Sequence, residues 1–135
     1  MTVNLTRIVR LYTGEDQKSH FEDLELTMNP FAFGALRSMK TPPLGCDGFL
    51  FREAGLDSDQ EFHNPPRRQM VVTLFGAAEI IASGGGSRVF GPGDALFAED
   101  LTGAGHSTRE LLGPRRSMML FMPDSFQIHD FVTKK

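Results

Sequence analysis

Short apolar segments, separated by glycine or proline about every ten residues, run through residues 62–109 of the chain. Residues 69–75 are apolar at both odd and even positions, which predicts a strand that is covered on both faces. The triple glycine at residues 84–86 provides the positive φ angles of a hairpin loop, so residues 78–83 should pair antiparallel with residues 87–90. Strands this short, repeated with turns between them, predict a β-barrel or a β-sandwich.

The segments outside this stretch extend the same pattern. In residues 19–27, Phe21, Leu24 and Leu26 interrupt a run of acidic residues, which predicts an edge strand with one solvated face. Further strands are predicted at residues 3–12, 49–51, 95–98 and 117–122, one helical turn within residues 31–39, and a short helix or strand within residues 124–135.

The length of 135 residues predicts one domain, with N-terminal strands in residues 1–30, a barrel core in residues 45–123 and a C-terminal tail in residues 124–135. The net charge of -3 provides no field that would attract nucleic acid or an anionic membrane. The single Cys46 cannot form an intramolecular disulfide, and charges interrupt every apolar run near the N-terminus. These features predict a cytoplasmic protein with no nucleic-acid or membrane partner.

Two imperfect motifs in this central stretch resemble those of small single-domain cupins. In the first motif, His63 stands at the first position of a His-x-His pair and Pro65 at the second. Gln69 takes the place of the motif's glutamate, and Gly76 follows at the family's interval. The first motif therefore keeps one of its two histidines and loses its carboxylate.

The second motif begins at Gly93-Asp94 and should continue as Pro-x-Gly-x-x-His. This chain has Glu99 at the proline position and His106 two residues beyond the family's histidine position. The resemblance covers about the central third of the chain. It implies an all-β jelly-roll barrel, also described as a double-stranded β-helix.

The resemblance also implies a metal site at the mouth of the barrel, where cupins hold Fe, Mn, Ni or Zn with three histidines and a glutamate. Here His63 and His106 remain, Gln69 offers a neutral carbonyl oxygen, and Glu99 offers the carboxylate that the first motif lacks. Alternatively, the two histidines line a polar cavity or hydrogen-bond within the fold without a metal.

Arg67 is the predicted contact for an anionic ligand. In an extended chain, His63, Arg67 and Gln69 share one face, and an inward arginine can bind a carboxylate through two parallel hydrogen bonds. The competing interpretation is that an arginine of this segment pairs with Glu99 or Asp100 across the sheet and neutralises it.

Phe75 and Phe97 complete the predicted substrate-binding set. In a purely structural protein, these two side chains and Phe121 would fill the cavity instead.

Together these predictions describe a homodimeric cupin that binds a small anionic metabolite in its barrel. The homodimer is implied by the resemblance, since small cupins commonly pair through N-terminal strands. One hypothesis is a metal-dependent enzyme of the dioxygenase or isomerase type, in which the ion polarises an oxygen of the substrate and Arg67 orients its anionic group. The other is a non-catalytic metabolite-binding or sensor module without a metal.

Overall fold

The computed structural model describes residues 7–133, so residues 3–6 of the first predicted strand lie outside the described part of the chain. The strands are β1 Arg7–Thr13, β2 Ser19–Glu25, β3 Asn29–Phe33, β4 Leu36–Lys40, β5 Gly48–Ala54, β6 Gln60–His63, β7 Gln69–Ala82, β8 Ser87–Phe90, β9 Ala95–Ala98 and β10 His106–Phe121. A short 3-10 helix follows at Ile128–Phe131. Within residues 7–133, no helix has the length and apolar character of a membrane span.

Eight strands form one mixed sheet with the order β2-β1-β9-β7-β10-β5, to which β6 is added beside β10 and β8 beside β7. β1 and β9 are parallel, and the remaining pairs are antiparallel. β3 and β4 form a separate hairpin. The predicted all-β class is therefore confirmed. Over the described residues the ladders do not close into a barrel, because the strand order ends at β2 and β5.

The two longest strands, β7 with 14 residues and β10 with 16, bend together and fold the sheet over itself. Gly76 lies at the bend with a φ of 81°, and a Cβ atom there would lie only 2.5 Å from the carbonyl oxygen of Leu112. The register of β10 against β7 is irregular in the same region, between Glu110 and Ser117. The chain therefore needs a glycine here so that the two backbones can approach closely.

The bend brings two layers face to face. Val9, Leu11 and Leu96 from one layer form a buried cluster with Ile80 and Phe90 from the other. This packing is consistent with a β-sandwich, and it buries the alternate residues of β1, β7 and β9 between the layers.

A second cluster covers the outer face of the first layer. Ile8, Met70 and Phe97 pack there against Phe126 and Ile128 of the C-terminal tail. The tail therefore lies over the β1, β9 and β7 part of the outer face, as a 3-10 helix with flanking extended residues.

The structure corrects several local predictions. Residues 31–39 form a hairpin rather than a helical turn, because Gly34 adopts a left-handed φ of 57° that ends the first strand and reverses the chain. Residues 69–75 and 79–82 belong to one strand, β7, since Gly76 bends it without ending it, and Ser83 lies in the turn that follows. The last long strand begins at His106 rather than at residue 117. The predicted pairing of residues 78–83 with 87–90 is confirmed.

Gly76→Ala is expected to destabilise the protein more than Gly93→Ala. Both glycines have a positive φ, 81° and 89°, so alanine is strained by about 1–2 kcal/mol at either position. At Gly76 the new Cβ would also meet the Leu112 carbonyl oxygen at 2.5 Å, whereas nothing lies within 4 Å at Gly93. Urea unfolding measures both free energies, and equal losses would contradict the role given to Gly76.

Candidate functional site

A cavity of about 250 Å³ lies between the layers. Its apolar lining includes Val71, Ile80, Leu96 and Met119. The polar side chains that line it are Arg52, Gln60, His63, Gln69, His106, Thr108 and Arg115. Among the described residues, no aspartate or glutamate lines this cavity.

Two imidazole rings lie side by side at the cavity. His63 ends β6 and His106 begins β10, and the antiparallel register places them directly opposite each other. Their ring centroids are 4.7 Å apart, with the planes tilted by 55°. Gly105, with a φ of 73°, allows this approach, because a Cβ there would lie 2.1 Å from the carbonyl oxygen of His63.

Hydrogen bonds fix the orientation of both rings. The Nδ1 atom of His63 donates to the carbonyl oxygen of Glu61 at 2.7 Å, and the Nδ1 atom of His106 donates to Oδ2 of Asp100 at 2.7 Å. A carbonyl oxygen and an ionised carboxylate can only accept, so each ring carries a hydrogen on Nδ1. In the neutral form of each ring, Nε2 is the nitrogen left to accept a hydrogen bond or to bind a metal ion.

Asp100, which accepts the hydrogen bond from Nδ1 of His106, is completely buried. Its Oδ2 atom also accepts a hydrogen bond from Oγ of Ser19 at 2.7 Å, while its Oδ1 atom has no partner within residues 7–133. Ser19 donates to the carboxylate and not to an imidazole nitrogen, so nothing activates its hydroxyl as a nucleophile. Asp100 thus acts on the site by positioning His106.

Gln69 lies at the same cavity as the two histidines. It is the first residue of β7 and is only 7% exposed. Its Oε1 atom is buried and has no hydrogen-bond partner in the described part of the chain. Three of the four residues predicted as metal ligands, namely His63, Gln69 and His106, are therefore brought together.

Glu99, the fourth predicted ligand, is not brought to this cavity. Ala98 faces the cavity, so Glu99, its neighbour on an extended chain, points to the other side. There its carboxylate accepts hydrogen bonds from Nε of Arg10 and from Nε of Arg68. This arrangement matches the competing interpretation, in which an arginine neutralises Glu99, and Arg68 is that arginine.

The predicted substrate-binding residues also lie outside the cavity. The chain bends at Pro66 and Arg67, so the alternation expected of an extended strand fails, and Arg67 instead lies exposed with its guanidinium 4.3 Å from the centre of the Phe121 ring. Phe97 is buried in the outer cluster against Phe126. Phe75 is 52% exposed.

Two arginines that the sequence analysis did not select line the cavity. Arg115 is buried and makes three hydrogen bonds of 2.7–3.0 Å with the carboxylate of Glu110, which balances its charge. Arg52, on β5, is half-buried and makes no ion pair with any of residues 7–133. In the sequence, the only indication that Arg52 has a special role is its position as a cation in an otherwise apolar strand.

No protein-family model, curated protein or solved structure matches the chain. Within residues 7–133, no three histidine, cysteine, aspartate or glutamate side chains lie close enough together to hold a metal ion. The polar groups that line the cavity are two imidazoles, two amides, a hydroxyl and two guanidinium groups.

Asp100→Asn is expected to release the His106 ring from its single tautomer. The variant loses a charge-assisted hydrogen bond, at a cost of about 1–3 kcal/mol of stability, and neutral asparagine no longer favours a hydrogen on Nδ1. Two-bond ¹H–¹⁵N NMR spectra report the tautomer of each ring. Ser19→Ala is the control, since it removes a hydrogen bond to the same carboxylate but should leave His106 protonated on Nδ1. Identical His106 spectra for Asp100→Asn and the unmodified protein would contradict this role.

Proposed function

We propose that this chain is a jelly-roll protein of the cupin type that binds a small organic anion in the cavity between its layers. The observation that carries the proposal is the charge of the cavity lining. Arg52 supplies a cation with no ion pair among the described residues. Among residues 7–133, the lining contains no aspartate or glutamate that would repel an anion.

The cupin assignment is supported by where the motif positions lie. His63 and Gln69 were selected from the first motif and His106, two residues beyond the family's position, from the second, and they lie on three different strands. All three line one cavity. Their common position supports the assignment of the two motifs to one site.

Anion binding is supported by the unfavourable free energy of a half-buried Arg52 that has no ion pair among the described residues. A half-buried guanidinium loses part of its hydration, and without a partner it recovers little of that free energy. A carboxylate or phosphate group would accept charge-assisted hydrogen bonds from it. The volume of about 250 Å³ lies below the roughly 300–1,000 Å³ of pockets for drug-sized ligands, so the anion is a small metabolite.

A second candidate function is metal-assisted catalysis of the dioxygenase or isomerase type. The hydrogen bonding of His63, Gln69 and His106 favours it. Both histidines donate from Nδ1 to an acceptor behind them, which is the arrangement that orients metal-bound imidazoles. The buried Oε1 atom of Gln69 lacks a partner among the described residues. A divalent ion held by these three residues would polarise an oxygen of the bound anion, and the anion would supply the negative charge that the three neutral donors lack.

Arg52→Gln is expected to weaken the binding of small carboxylates or phosphate esters by about tenfold or more. A hydrogen bond to a charged group contributes about 1.5–3 kcal/mol, and 1.4 kcal/mol corresponds to a factor of ten. Thermal shift across a panel of such anions identifies a ligand, because binding to the folded state raises the melting temperature, and calorimetry then measures its affinity. Arg67→Gln is the matched control, since Arg67 lies outside the cavity. Equal effects of the two substitutions would exclude Arg52 as the anion contact.

Metal content separates the two functions. If the histidines hold an ion, protein purified without chelator should contain Fe, Mn, Ni or Zn, and His63→Ala and His106→Ala should each lose most of it. Gln69→Glu should retain more metal than the unmodified protein, because a carboxylate binds a divalent ion more strongly than a neutral amide. Metal content that is the same in all four proteins would remove the metal-assisted function and leave anion binding untouched.

A further inference from the structure

The cavity collects hydrogen-bond acceptors in one region. His63 and His106 each donate from Nδ1 to an atom of a residue that does not line the cavity, so in the neutral form of the rings both Nε2 atoms accept. The buried Oε1 atom of Gln69 also accepts, and it has no partner within residues 7–133. A ligand group that meets these atoms must therefore donate a hydrogen bond.

Strand register places these three residues at the same end of the cavity. Gln69 pairs with Ala98 of β9, and Asp100, two residues beyond Ala98, accepts the hydrogen bond from His106. The pairing of β6 with β10 sets His63 opposite His106. We call His63, Gln69 and His106 the acceptor end.

Two guanidinium groups form a second polar region of the cavity. Arg52 pairs with Ser117 of β10, and Arg115 lies two residues before Ser117, so the two arginines are diagonal neighbours on one face of the sheet. Arg115 binds Glu110 through Nε and Nη2, and its Nη1 group makes no hydrogen bond with any of residues 7–133. Guanidinium groups only donate, so this region, which we call the arginine end, suits a carboxylate.

Apolar side chains separate the two ends. Thr73 is level with Arg52, because both residues pair with Ser117. Gln69 lies four residues before Thr73 on β7, which is about 13 Å along the strand. Three apolar residues that line the cavity pair side by side halfway between these two levels: Leu96, Val71 and Met119. The cavity thus has a donor region, an apolar middle and an acceptor region in that order.

We propose that the ligand is a hydroxy acid. Its carboxylate binds Arg52 and Arg115, its short hydrocarbon chain crosses the apolar middle, and its hydroxyl donates to the acceptor end. This inference rests on the anion binding proposed above and names the class of anion, for the protein without a metal ion. A buried acceptor left unpaired is unfavourable, so the site should discriminate against an acid that lacks the hydroxyl.

An ammonium group also donates hydrogen bonds, but the charge of the cavity favours a hydroxyl. Glu110 balances the charge of Arg115, and the carboxylate of the ligand balances that of Arg52. A further positive charge would lack a counterion, because within residues 7–133 no aspartate or glutamate lines the cavity. A hydroxyl adds no charge, and it can also accept a hydrogen bond from the amide nitrogen of Gln69.

The test is calorimetry on chelator-treated protein, buffered at about pH 8 to favour the neutral form of both rings. The probes are straight-chain ω-hydroxy acids of increasing length and, at each length, the unsubstituted acid, the methyl ether of the hydroxy acid and the ω-amino acid. At the best length, the hydroxy acid should bind about tenfold more tightly than the unsubstituted acid. The methyl ether only accepts and the amino acid adds a charge, so neither should show this gain.

Variants locate the hydroxyl within the cavity. The double variant His63→Phe/Gln69→Leu removes two of the three acceptors and should reduce the gain to about twofold or less, with little change for the unsubstituted acid. His106 is kept, since its replacement would leave the buried Asp100 without that partner. Arg52→Gln should weaken both acids by the same factor and preserve the gain. An undiminished gain in the double variant would overturn the proposal.

The ligand series on the unmodified protein decides the question even if a variant fails to fold. If anions bind and depend on Arg52, but no hydroxy acid binds more tightly than its unsubstituted acid, the hydroxy acid is overturned and the proposed anion binding stands. A methyl ether or an amino acid that binds at least as tightly as the hydroxy acid would also overturn it. If no anion binds at all, the proposed function fails together with this inference.

Discussion

The long pairing between β7 and β10 is the interaction on which the rest of the structure depends. Before Gly76 the odd-numbered residues of β7, such as Val71, face the cavity, and after it the even-numbered ones, such as Ile80, do so. β10 switches in the opposite sense, from His106 and Thr108 to Arg115 and Met119, across its irregular register. Without this change of alternation in both strands, the residues that line the cavity at one end of each strand would point to the opposite face of the sheet.

Sequence patterns predicted those features that rest on local chemistry. The hairpin at residues 84–86 followed from three glycines, and the edge position of β2 followed from its acidic residues. The bend at Gly76 could not be predicted, because a glycine that ends a strand and one that bends it look alike in sequence. The hairpin of residues 29–40 was missed because nothing else in the described chain covers it, so it lacks the alternation of a strand with one buried face.

The same contrast between predicted and unpredicted features applies to the candidate site. His63, Gln69 and His106 were selected from the two motifs and do lie together, whereas Glu99 and Phe97 each stand one position away from a residue that faces the cavity. A difference of one residue in an extended chain reverses the direction of a side chain, and motif spacing alone does not fix that direction. Asp100 and Arg52 were missed for another reason: their roles depend on partners and surfaces that only the folded chain brings near.

Charge balance links the two proposed functions of the cavity. The Asp100 carboxylate is already engaged by His106 and Ser19, and Glu110 is engaged by Arg115, so neither is free to neutralise a metal ion. An ion bound to neutral donors would keep its full positive charge beside Arg52, which is costly in a partly buried site. An anion bound first would offset both charges. The proposed ligand and the proposed metal should therefore bind cooperatively.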